Sequence, residues 1–177
     1  MMKRITLIAA AFFASSSAMA IDASNTFTWT GTVPAAPVVG NNWVIKSPTG
    51  QDLTNGIMVF RLNADGKGEL TGSTELAFNV FSEQAPGVPD VAAPANTYTI
   101  ELTSLAVNSA GLASEQDANG YFGIIANGAA LAKGTPEIMT GDTRLIVGVQ
   151  NDAAANQPLA GDSVDLQATL VVTNAQI

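Results

Sequence analysis

Ser163-Val-Asp-Leu-Gln-Ala-Thr-Leu-Val-Val-Thr173, near the end of this 177-residue chain, sets Val164, Leu166, Ala168, Leu170 and Val172 at every second position. A period of two is the pattern of a strand with one buried face. Asn25-Thr-Phe-Thr-Trp-Thr-Gly-Thr-Val33 alternates in the same way, with Phe27, Trp29, Gly31 and Val33 separated by threonines. A strand so early in a chain needs a partner. The two segments therefore bracket an all-β domain, and each is able to complete a sheet, its own or a neighbour's.

Between them, short runs of Val, Ile, Leu, Phe and Thr are divided by Gly, Asn, Asp and Pro, with no long stretch at helical spacing. Residues 43–46 read as a short strand. Residues 56–62 and 68–81 read as a hairpin joined through Asn63-Ala-Asp-Gly-Lys67, where Asp-Gly supplies a tight turn. Pro86, Pro89 and Pro94 predict a surface loop over residues 82–96. Residues 97–107 form a strong strand whose phase changes near Leu105, as a bulge would produce. Three further strands are predicted at 121–125, 137–139 and 143–149, and an Ala/Asn-rich loop at 150–161. Residues 126–133 leave room for one short helix, which Gly128 disfavours. Roughly eight or nine strands, with turn signals about every ten residues, point to a β-sandwich, a small barrel being the alternative.

Residues 1–20 carry Lys3 and Arg4, an apolar run over 5–14, and Ala18-Met-Ala20, the layout of a secretory signal peptide with its cleavage site. The run is shorter than the roughly 20 residues that cross a bilayer, so no stable membrane insertion is expected. The expected organisation is a signal peptide at 1–20, an arm with the first strand at 21–33, and one β-sandwich domain at 34–177.

Removal of the leader leaves five basic and fifteen acidic residues, a formal charge of −10. A field of that sign repels phosphate backbones, and nucleic acid is not an expected partner. The chain holds no histidine and no cysteine, which excludes Ser-His-Asp and Cys-His nucleophilic sites and the common zinc sites. Carboxylate pairs remain available for hydrolysis, but the eleven aromatic residues, two of them in the leader, are few for a substrate cleft. The expectation is a protein that is not an enzyme and uses neither cofactor nor metal. The oxygen-rich segments 63–69 and 115–120 lack calcium-loop spacing and read as turns. Trp29 and Trp43 lie in alternating strands, where burial outweighs sugar stacking.

The opening alternation running into Gly31-Thr-Val33, and Ala160-Gly-Asp-Ser-Val-Asp-Leu-Gln-Ala-Thr-Leu-Val-Val172 near the C-terminus, resemble the subunits of chaperone-usher fimbriae, of the cysteine-free type. That resemblance implies an incomplete immunoglobulin-like sandwich completed by strand donation. Phe27, Trp29, Gly31 and Val33 would lie in the donor strand. Val164, Leu166, Ala168, Leu170 and Val172 would edge the acceptor groove and contact the chaperone. Implied partners are identical subunits in a filament, a periplasmic chaperone and an outer-membrane usher, and the implied location is the cell surface, reached through the periplasm. Two other readings stay open: a secreted, self-contained sandwich that binds carbohydrate or acts as an adhesin, and an outer-membrane barrel, which would need longer strands with aromatic girdles.

Overall fold

A computed structural model describes residues 43–109 and 112–177. Its strands are β1 (Trp43–Lys46), β2 (Met58–Leu62), β3 (Gly68–Ser73), β4 (Leu76–Ala85), β5 (Val88–Pro94), β6 (Thr97–Ser109), β7 (Leu112–Glu115), β8 (Phe122–Ala126), β9 (Ala129–Ala130), β10 (Pro136–Thr140), β11 (Thr143–Val149) and β12 (Val164–Gln176). One sheet runs β1-β4-β11-β8-β9, with β5 also on β4. A second runs β10-β6-β12, with β7 also on β6, and β2 and β3 form a hairpin. The pairings are antiparallel. No helix among the described residues is long and apolar enough to cross a membrane.

The core lies between the two larger sheets, as in a β-sandwich. Phe78, Val80, Ile124 and Ala126 reach it from β4 and β8, and Tyr98, Ile100, Leu102, Leu105 and Met139 from β6 and β10. Period-two spacing builds this layer, because alternate side chains of a strand point to the same face of its sheet. The bulge expected in β6 is present. Thr103 is the extra residue between Leu102 and Ser104, and it shifts the inward phase so that Leu105 is buried after Leu102.

Several expectations need correction. Residues 82–96 are not a loop: β4 continues to Ala85, Pro86-Gly87 turns with Gly87 at φ +75°, and β5 returns along β4. The prolines fit because β5 pairs with β4 alone, and Pro89 and Pro94 sit where the register is already irregular. An interrupted edge ladder has little use for the missing N–H. The second arm of the 56–81 hairpin is two strands. Thr74 separates them, its hydroxyl accepting the Ile57 N–H at 3.0 Å, so that β4 is free to join the larger sheet. The helix possible over 126–133 is instead a tight turn, with Asn127 at φ +47° and Gly128 at φ +86° between β8 and β9. Trp43 is half-buried against the core. Trp29 lies outside the described residues.

The β2–β3 hairpin is held by polar contacts. Its turn forms around Asn63, whose Oδ1 accepts from the N–H groups of Asp65 at 3.0 Å and Lys67 at 2.9 Å. The Ser73 hydroxyl bridges to β11, donating to Val147 O at 3.1 Å and accepting from Val147 N at 2.9 Å. Leu70 N donates to the Tyr121 hydroxyl at 2.8 Å.

Candidate functional site

β12 pairs with β6 from Val164 opposite Ser109 to Gln176 opposite Thr97. Among the described residues β6 is its sole partner. Its other edge has no strand of the described residues beside it, and a row of backbone N–H and C=O groups without a partner strand is the arrangement that recruits another strand.

The side chains sharpen this. Leu166, Ala168, Leu170 and Val172 pack against the core, and with Val164 they are only half-buried. On β6, the next strand in, Ile100, Leu102 and Leu105 are 0%, 3% and 4% exposed on the same face. Burial thus falls away within one strand spacing, about 4.8 Å, between β6 and β12. Asp165, Gln167, Thr169, Val171 and Thr173 occupy the outer face, where alternation with the inward row predicts mostly polar residues. The inward row is symmetrical in size, Val-Leu-Ala-Leu-Val, with its smallest member at the centre. Asn174, at φ +54°, ends the regular run and shifts the register between Thr173 and Gln176, after which Ala175 packs back on the core.

All five residues predicted from the closing alternation share this edge. Phe27, Trp29, Gly31 and Val33 lie outside the described residues, so nothing here joins them to it. The sequence reading missed Ala175, hidden behind the bulge, and β7, a four-residue strand too short to show a period.

At the start of β12 an open cleft of about 550 Å³ is lined by Val107, Gln116, Asp117, Asn156, Asp162 and Val164, among others. Its polar side chains serve the local fold. Gln116 acts as a strand partner for Phe122, donating to its carbonyl at 2.5 Å and accepting from its N–H at 3.1 Å. Gly120 permits this, since a Cβ there would lie 2.0 Å from Gln116 Cγ. Asp117 caps Asn119 N at 2.7 Å. Glu115 accepts from Ser104 Oγ at 2.5 Å, from Leu105 N at 3.0 Å, and from the Lys133 ammonium. Lys133 above all, then the Ser104 and Leu105 donors, hold the Glu115 carboxyl down to about 2. Among the described residues no three His, Cys, Asp or Glu side chains gather where a metal ion could sit.

The sequence matches no family model and no curated protein.

Proposed function

We propose that the mature protein is a structural subunit of an exported surface fimbria. In this reading residues 25–33 of one copy lie beside β12 of the next and complete an immunoglobulin-like sandwich, and the filament supports adhesion. The observation that carries it is the 13-residue strand, an edge among the described residues, whose inward apolar row is only half-buried while its neighbour's is buried. Leaving such a row in water is unfavourable, and a strand that supplies both apolar side chains and backbone partners removes the penalty. Each copy offers a strand forward and receives one behind, a heterologous contact that propagates without closing. A periplasmic chaperone would cover the same edge before assembly, and an outer-membrane usher would pass the subunit outward.

Denaturing electrophoresis of the purified exported protein, with and without boiling, tests this. The expected result is an SDS-resistant ladder that collapses to one band on heating, as strand-exchanged subunits with high kinetic stability would give. Deleting residues 21–33 is expected to abolish the ladder; a truncated protein that still forms one overturns the donor role. The open cleft beside β7 favours a second reading, a self-contained binding module. A single monomer band in both lanes selects that alternative.

A further inference from the structure

We infer that Asn55 is a site of spontaneous covalent modification, its side-chain amide lost as ammonia through attack by the Gly56 nitrogen. The chain holds three Asn-Gly pairs, at 55–56, 119–120 and 127–128. Glycine has no Cβ to obstruct the approach of its own nitrogen to the preceding side chain, so by sequence alone each pair is a candidate. In the reaction the Gly56 N–H gives its proton to hydroxide, the nitrogen bonds to Asn55 Cγ and the Cγ–Nδ2 bond breaks. Nδ2 takes a proton from water and leaves as ammonia. Water then opens the cyclic imide at either carbonyl, leaving an aspartate at position 55 or its β-linked isomer.

All three asparagines are exposed, so access of water does not separate them. Hydrogen bonding does. The peptide joining Asn119 to Gly120 is held on both sides: Gly120 N donates to Asp117 O at 3.1 Å, and Asn119 O accepts from Asn151 Nδ2 at 2.9 Å and Asn156 Nδ2 at 2.7 Å. At Asn127 the side chain itself is held, with Oδ1 accepting from Arg144 N at 2.9 Å and Nδ2 donating to Met139 Sδ at 3.8 Å. Asn55 lies in the exposed segment 51–57, which has no regular structure. Among the described residues neither its side chain, its carbonyl nor the Gly56 N–H has a hydrogen-bond partner. Ring closure needs the side chain and the following nitrogen to swing together, so the two held pairs must open first and react only in proportion to the opened fraction. The β-linked product would lengthen the backbone just before Ile57, whose N–H donates to Thr74 Oγ1 at 3.0 Å and whose carbonyl accepts from Thr74 N at 2.9 Å. Modification therefore falls at the open end of the β2–β3 hairpin.

The test ages the purified protein at mildly alkaline pH and follows each pair by peptide mass mapping, conversion adding about one dalton. In the folded protein Asn55 is expected to convert about tenfold or more faster than Asn119 and Asn127, because only they await opening. In concentrated urea the three rates are expected to converge. Asn55→Gln, which would need a larger ring, is expected to remove the fast phase of the mass gain. A rate at Asn119 or Asn127 that equals or exceeds that of Asn55 in the folded protein overturns the inference. So does a lead for Asn55 that persists undiminished in urea, which would place its cause in the local sequence and not in the fold.

Discussion

Tyr98 is 1% exposed, and its hydroxyl donates to Gly141 O at 2.8 Å while lying 2.6 Å from Thr143 Oγ1. Burial, ahead of any other influence, pushes the phenol pKa up, so the group remains a neutral donor. Tyr98→Phe keeps the ring against Phe78 but strands a carbonyl and the hydroxyl of Thr143, which is 0% exposed. The expected loss is about 1–3 kcal/mol, read as a lower urea midpoint with an unchanged slope. That Tyr98 faces inward was legible, because it alternates with Ile100 and Leu102. Its partners were not, because Thr143 is 45 residues away in sequence and meets it only through the fold.

At the scale of elements, Glu115 joins three pieces: β7, the bulged stretch of β6 at Ser104 and Leu105, and the segment bearing Lys133. Its carboxyl titrates at about 2 against an ordinary 4.5. A depressed acid stabilises the folded state above its unfolded pKa, and the contribution is lost as pH falls through the folded one. Wild type is therefore expected to melt above Glu115→Gln by a constant margin at about pH 5 and higher, the margin closing toward about pH 2. Melting temperatures across that range check it; a gap unchanged at low pH would show that the carboxylate charge is not what ties these pieces together. The elements that sequence reading missed share a cause with this clamp. Three prolines in 82–96 read as a loop because local propensity cannot reveal that β5 is an edge strand, where proline is tolerated. Gly128 reads in the sequence as a weakness in a helix, whereas with Asn127 it is the turn that makes β9 possible.

The whole molecule is acidic, and five of its basic residues lie among the described ones. Four of them, Lys46, Arg61, Lys133 and Arg144, are engaged in ion pairs on the surface, so little positive charge is left to draw two copies together. Assembly of the proposed filament is expected to quicken severalfold when ionic strength rises from about 0.01 M to about 0.15 M, as the Debye length shortens from about 30 to about 8 Å. The ladder yield against time at the two salt concentrations measures this, and slowing by salt would instead indicate steering by local opposite charges. The sandwich was legible in the spacing of apolar residues, and so were the five inward residues of β12. That β12 has β6 as its one partner among the described residues was not, since an edge is a property of which strands find one another.

The kink at Asn174 adds a consequence of a different kind. On the fimbrial reading, a visiting strand would find regular sites only up to Thr173, where the left-handed Asn174 throws the next positions out of step. β12 is in that sense a measuring stick, closed at one end by its own backbone. A guest strand moving toward that end would, on the same reading, be stopped there, roughly 30 Å of extended chain from Val164.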